Sequence, residues 1–229
     1  AGNVRMHRHG LLLNGGVGLA VTAIAAAQIL GAIGAVPAIV LLLVVFMPYV
    51  WVLAKPPRRG AIARAVREEA HDVRTGETVP PATKRDGAVL AASLAAIVLG
   101  SIGMVRAATD LGDAWGVSDV VIGTLVLAAL TSLPNVLTAV RLSLHGRGAA
   151  TVSEAFNSNS LNVIAGLAIP SLVLALGAAS GIEVFSVWWL LGMTVAAIAL
   201  AYRGGGLRRA EGAVVVALYV VFAAVIATR

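Results

Sequence analysis

Long apolar runs separated by short polar breaks make up most of this chain. Runs of roughly 20 residues, the length a helix needs to cross a bilayer, occupy 11–33, 36–54, 87–109, 117–144, 152–177, 183–202 and 210–228. Backbone groups left unpaired in lipid are so costly that a spanning run must be a helix or a barrel strand, and barrel strands are short and alternating. These runs are long and unalternating, so the pattern predicts seven transmembrane helices in an all-α membrane protein. The first run is long enough to span and has no small-residue cleavage site close behind it, so it reads as a helix and not as a leader.

Composition agrees with the pattern. Of 229 residues, 59% are hydrophobic and 12% charged, with mean hydropathy +0.92; a soluble domain carries about 25% charged residues. There is no cysteine, which removes disulfides and thiolate metal sites. The formal charge of +6 comes from 17 Lys and Arg against 11 Asp and Glu. These basic residues lie between apolar runs, an arrangement suited to anionic lipid head groups and not to nucleic acid.

The placement of charge predicts topology. Arg5 and Arg8 precede the first run, and eight Lys or Arg lie between 55 and 86. His145 and Arg147 follow the fourth run, and Arg203, Arg208 and Arg209 the sixth. The intervening connections are neutral or acidic, with Asp110 and Asp113 after the third run and Glu183 after the fifth. By the positive-inside rule the N-terminus is cytoplasmic and the C-terminus external. The expected location is the plasma or inner membrane of the cell.

Three regions follow: two helices in 1–54, a basic cytoplasmic linker at 55–86, and a five-helix unit at 87–229. The linker is bracketed by Pro56, Pro57, Pro80 and Pro81 and carries one short helix near Ala61 to Val73. A solvated loop fits its composition better than a lipid-sensing segment does. Tyr49, Trp51, Trp188, Trp189 and Tyr219 are expected in interfacial belts. Asp110, Asp113 and Asp119 read as external loop and helix-start residues, with Ser118 as an N-cap. Arg106 and Arg141 sit near the ends of runs, where such side chains reach back to the interface.

Two apolar runs are unexpectedly polar. In the fourth, Pro134 has no backbone N–H and its ring clashes with the carbonyl of Leu130, which predicts a helix break at membrane depth. Irregular backbone there is tolerated where it is buried or lines a cavity, and transporters coordinate cations with such carbonyls. Thr131 and Asn135 share a face, Thr138 continues it and Ser132 flanks the break. In the fifth run, Thr151, Glu154, Ser158 and Asn162 form one stripe, flanked by Asn157 and Asn159. Hard cations take oxygen ligands of these kinds. Any single Ser, Thr or Asn in a membrane helix is more often glue between helices than a ligand, but two polar sets on successive antiparallel helices point to a site. Glu154 is the one acid in the interior register of a span, near its cytoplasmic end, and an intramembrane acid is a functional hypothesis by default.

These residues carry a resemblance. The stretch "GVSDVVIGTLVLAALTSLPNVLTAV" followed by "TVSEAFNSNSLNVIAGL" resembles the alpha repeat of the sodium/calcium exchanger family, in the calcium/cation antiporter superfamily. The likeness runs from about residue 87 to the C-terminus, with the fingerprint at 116–166. It implies the last seven helices of a ten-helix, inverted-repeat exchanger fold that alternates access around a central cation site. It also implies that the first three helices, with the first alpha repeat, lie upstream in the same chain or in a partner chain; a start at Ala1 is expected of a truncated or processed piece.

Carried over by position, the resemblance makes Thr131, Ser132, Ser158 and Asn162 cation ligands, with Pro134 as the motif proline. Four positions depart from the family pattern. Asn135 stands where the family has its principal acid, Leu130 and Asn157 replace glycines, and Ser160 replaces an isoleucine. A divalent ion in low dielectric without a nearby carboxylate is poorly compensated. Glu154, one turn from Ser158, can restore that charge at a displaced position or serve as the protonatable group of a cation/proton exchanger.

The expected function is therefore exchange of a cation, Ca²⁺ foremost, against Na⁺ or H⁺, with the cation set Thr131, Ser132, Asn135, Glu154, Ser158 and Asn162. No cofactor beyond the transported ions is expected. The competing reading is a non-transporting membrane protein that keeps the fold with a degenerate site, favoured by Asn135 and the altered glycines. An enzyme is not expected: there is no nucleophile and base pair and no G-x-S-x-G turn, and His7, His9, His71 and His145 all fall in connections.

Overall fold

A computed structural model describes residues 4–55, 57–74, 84–117, 121–173 and 177–228. Pro56, Pro80, Pro81, Ser118 and Asp119, singled out above, lie outside the described residues. The fold is almost wholly helical. Helices α1 (Arg8–Ile29) and α2 (Ala35–Ala54) form a hairpin, and α3 (Ala61–Arg74) is the short linker helix. Then come α4 (Lys84–Trp115), a π-helical turn (Ile122–Leu127) and α5 (Ala128–Leu144). The chain turns at Gly146, whose φ is +73°, into α6 (Gly148–Val163), which runs into a second π turn (Ile164–Ala168) and a short 3-10 turn (Pro170–Leu172). Helices α7 (Gly181–Gly204) and α8 (Arg209–Ala227) complete the chain.

Each of the seven predicted spans is largely helical over its described residues, but among those residues four helices, α1, α2, α7 and α8, have both the length and the apolarity to cross a membrane. The polar runs are each divided. Helix α5 has 17 residues and α6 has 16, and a π turn extends each one. Helix α4 runs on to Trp115, so Asp110 and Asp113 are exposed helical residues and not loop residues.

Helix α1 is the centre of the assembly and packs on α2, α3, α6 and α7. Its glycines permit this close approach: a Cβ at Gly15 would lie 3.0 Å from Ile198 of α7, and one at Gly18 would lie 3.1 Å from Phe156 of α6. Two apolar clusters bracket the packing. Met6, Leu11, Ala149, Val152 and Ala201 pack together at one end, and Val21, Leu42 and Ala168 at the other. Large apolar side chains elsewhere face outward, including Val44 on α2, Leu137 on α5 and Val216 on α8, as lipid-facing surfaces require.

The basic connections meet at one end. Val4–Arg5 (β1) pairs antiparallel with Gly206–Leu207 (β2), and Met6 N–H donates to the Gly205 carbonyl at 3.3 Å. Arg8 stacks over the Tyr202 ring at 5.2 Å, and α3 packs against α1 and α6 at the same end. Gly205, at φ +62°, caps α7 in the left-handed conformation that glycine adopts freely. At the opposite end Ser180 and Glu183 form a capping box: Ser180 N–H donates to Glu183 Oε2 at 2.6 Å, and Glu183 N–H donates to Ser180 Oγ at 3.4 Å. That end holds a cavity of about 630 Å³ lined by Gln28, Ser171, Val184 and two loops rich in glycine and alanine.

Candidate cation site

Helices α5 and α6 are joined by a tight turn, pack along one another and run antiparallel. They present the two polar sets as follows. Thr131 Oγ1 donates to the Leu127 carbonyl at 2.8 Å, and Ser132 Oγ donates to the Ala128 carbonyl at 2.6 Å. Thr138 Oγ1 donates to the Pro134 carbonyl at 2.9 Å. On α6, Thr151 Oγ1 donates to the Arg147 carbonyl at 2.8 Å, and Ser158 Oγ reaches the Ala155 carbonyl at 3.3 Å. A hydroxyl that gives its hydrogen to its own helix keeps its lone pairs for an incoming donor or cation. Among the described residues the side chains of Asn135, Glu154 and Asn162 make no hydrogen bond.

Thr131, Ser132 and Asn162 are exposed, and Asn135, Glu154 and Ser158 are half-buried. The two sets therefore share one helix pair, with part of their surface uncovered among the described residues. No hydrogen bond joins the α5 set to the α6 set among those residues. Pro134 does not end its helix. Helix α5 is continuous from Ala128 to Leu144, although the Leu130 carbonyl still lacks the N–H that a proline cannot supply. The backbone irregularity lies instead at the two π turns, one before the first polar set and one after the second. Such turns recur at functional positions because they open the helical hydrogen-bond ladder.

A further polar cluster was not apparent from the sequence. Tyr49, assigned above to an interfacial belt, is 4% exposed inside the α1–α2–α6 junction. Its hydroxyl lies 2.5 Å from Asn14 Oδ1 and 2.6 Å from Asn157 Oδ1. The physical reason for burial is this pair of partners, which satisfy the phenol away from water. Asn14 Nδ2 in turn donates to the Gly10 carbonyl at 3.0 Å and to Glu69 Oε2 at 3.4 Å. Farther along, Asn159 Nδ2 donates to Thr22 Oγ1 at 3.4 Å and Gln28 Nε2 to Ser171 Oγ at 2.6 Å. Asn14, Thr22 and Gln28 are interruptions of an apolar run and were the available signal; without their partners they could not be told from isolated polar residues. Trp51, Trp188 and Tyr219 are exposed, as a belt requires. Among the described residues no cluster of three or more His, Asp or Glu is placed to hold a metal ion.

The fold defines an almost wholly helical protein with helices able to cross a membrane and with polar sets on two successive helices. The family model for sodium/calcium exchanger protein matches residues 87–228; the chain belongs to the sodium/calcium exchanger family. Sodium/calcium exchanger MaX1 of Methanosarcina acetivorans is 28% identical over 142 residues, covering 62% of this chain and 41% of that protein. Sodium/potassium/calcium exchanger 4 of Mus musculus is 32% identical over 128 residues, covering 52% of this chain and 21% of the mouse protein. Sodium/potassium/calcium exchanger 1 of Homo sapiens is 36% identical over 73 residues, 32% of this chain and 7% of the human protein. This chain thus matches less than half the length of each of these relatives. No solved structure matches it. Its relatives are exchangers, and the chain is a member of a cation-exchanging membrane family.

Proposed function

We propose that this protein exchanges Ca²⁺ against Na⁺ or H⁺ by alternating access, with α5 and α6 supplying one half of the cation site. The observation that carries this reading is the pair of polar sets on antiparallel α5 and α6, whose hydroxyls satisfy themselves on their own helices and keep lone pairs for a ligand. Thr131, Ser132, Ser158 and Asn162 are the neutral oxygen ligands in this account. Asn135 adds an amide oxygen, and Glu154 supplies the negative charge that a divalent ion needs in a poorly solvated site.

The uncovered part of this helix pair bears on what completes the site. Thr131, Ser132 and Asn162 are exposed beside apolar Leu133, Leu137 and Leu161. A polar set of that kind is not a surface for acyl chains. A second polar helix pair, from sequence upstream in the same protein or from a partner chain, would cover it. The π turns at Ile122–Leu127 and Ile164–Ala168 are the flexible elements through which α5 and α6 would shift between inward and outward access.

The chain also supports a second reading, a non-transporting member with a degenerate site, on the specific ground that Asn135 carries no charge. The two separate in one experiment. The complete protein is reconstituted in vesicles, and uptake of Ca²⁺ is followed with an outward Na⁺ gradient, an outward H⁺ gradient or neither. Exchange predicts uptake that one gradient accelerates; equal, background uptake under all three conditions would leave the degenerate reading.

A further inference from the structure

The buried polar cluster beneath the linker helix has no part in the cation set, yet it ends one residue from Ser158. Its atoms form a chain across four helices. Glu69 on α3 accepts from Asn14 Nδ2 on α1, and Asn14 Oδ1 faces the hydroxyl of Tyr49 on α2, which also faces Asn157 Oδ1 on α6. The residues at its centre are sealed, since Asn14 is 1% and Tyr49 4% exposed. Partial satisfaction at such a place is expensive, so a shift of one member changes the bonding of its neighbours.

The count of hydrogens gives the cluster two arrangements. Asn14 Nδ2 is committed to the Gly10 carbonyl and Glu69, which fixes Asn14 Oδ1 toward Tyr49. A phenol has one hydrogen to donate, and two amide oxygens stand within 2.6 Å of it. The hydrogen can serve α1 through Asn14 or α6 through Asn157. If α6 shifts and withdraws Asn157, Tyr49 remains fully bonded to Asn14. When α6 returns, the hydroxyl meets both. With α6 seated the one hydrogen is shared between two oxygens, and with α6 withdrawn it belongs to Asn14 alone; two discrete arrangements are what coupling between distant sites requires.

Helix α3 is the other end of the chain. It rests on α1 and α6 through Ala63, Ala65 and Val66, which are 1%, 3% and 4% exposed, while Arg64 and Arg67 point away. Its small residues admit a close fit: a Cβ at Gly10 would come within 3.2 Å of Ala65 Cβ. Among its polar contacts with the membrane helices is that of Glu69 with Asn14.

We infer that Tyr49 is a positioning residue for the Ser158 face of α6 and that, through Asn14 and Glu69, it latches α3 over the basic end of the α1–α6 junction. Movement of α6 during exchange is thereby coupled to the seating of α3, and a linker held down restrains α6. The positioning half rests on the reading of α5 and α6 as a cation site; the latch does not.

The absence of cysteine from the chain allows a direct test. Ala63→Cys places a thiol on the buried face of α3, in the complete protein reconstituted in vesicles. Its labelling rate by a water-soluble thiosulfonate is measured alone, with Tyr49→Phe, with Glu69→Met, which keeps the length of the side chain without its acceptor oxygens, and with both. Phe keeps the ring and removes only the hydroxyl, and elution as a single species on size exclusion checks folding. The latch predicts at least fivefold faster labelling in each substitution, with the pair no faster than the quicker single, since both break one chain. Unchanged labelling in Tyr49→Phe, or independent effects that multiply, would overturn it. Positioning predicts that Tyr49→Phe raises the Ca²⁺ concentration for half-maximal exchange at least threefold with the maximal rate less affected, and an unchanged half-saturation would overturn that part. A wild-type protein that exchanges no ions would defeat the functional reading, while the labelling rates would still decide the latch.

Discussion

In the proposed cation site Asn135 and Glu154 would hold the charge balance between them. Asn135 is a half-buried amide without a side-chain hydrogen bond among the described residues, and Glu154 is a half-buried carboxylate two turns before Asn162 on α6. A unit charge 4 Å from a cation is worth about 4 kcal/mol at an effective dielectric of 20, and part of this is lost to desolvation. Asn135→Asp is therefore expected to tighten Ca²⁺ binding about tenfold or more, equivalent to about 1.4 kcal/mol, measured as the half-saturating concentration in vesicles. Glu154→Gln is expected to slow exchange about tenfold and flatten its pH dependence, and wild-type rates and pH profile in that variant would refute a charged role. Thr131→Val removes an exposed hydroxyl whose hydrogen bonds, among the described residues, go to the carbonyls of Leu127 and Ala128. Stability should change by no more than about 0.5 kcal/mol, read from the melting temperature in detergent, while exchange falls. The residue types of this site were legible because Thr, Ser, Asn and Glu are conspicuous in apolar runs. Tyr49 was not, because an aromatic near a helix end reads the same whether its hydroxyl meets water or two asparagines.

Among the elements, helix identity followed directly from the apolar runs, and helix continuity did not. The π turns at Ile122–Leu127 and Ile164–Ala168 contain Gly123, Thr124 and Gly166 but otherwise read as apolar sequence. Pro134, the conspicuous breaker, sits within a helix that continues past it. One lost hydrogen bond can be absorbed as a kink where neighbouring packing holds the helix. The order of packing was also hidden. Helix α1 proved central because Gly15 and Gly18 let α7 and α6 approach closely, and a sequence of small residues does not name its neighbour. Gly18→Leu would force a side chain against Phe156, where even a Cβ has 3.1 Å. Overpacking of this kind costs about 1–3 kcal/mol, so a lower melting temperature and loss of monodisperse protein are expected. Gly16→Leu, with open space at its Cβ, is the matched control and should leave both unchanged.

At the scale of the whole molecule, the basic connections gather at one end, through the β1–β2 pair, the Arg8–Tyr202 stack and the seat of α3. The opposite end is formed by Leu30–Gly34 and the loop before α7, around the cavity beside Gln28. By the positive-inside rule we propose that the basic end faces the cytoplasm. Ala32→Cys should then react with a membrane-impermeant maleimide on intact cells, and Arg59→Cys only after permeabilisation; the reverse pattern would invert the topology. The central claim, that α5 and α6 form half of a cation-exchange site, is tested most directly by Na⁺-gradient-driven and H⁺-gradient-driven Ca²⁺ uptake in vesicles of the complete protein, wild type against Ser158→Ala. The account predicts gradient-dependent uptake in the wild type and at least a tenfold loss in a variant that stays folded. Equal gradient-dependent uptake in the two proteins, or none in the wild type, would contradict it.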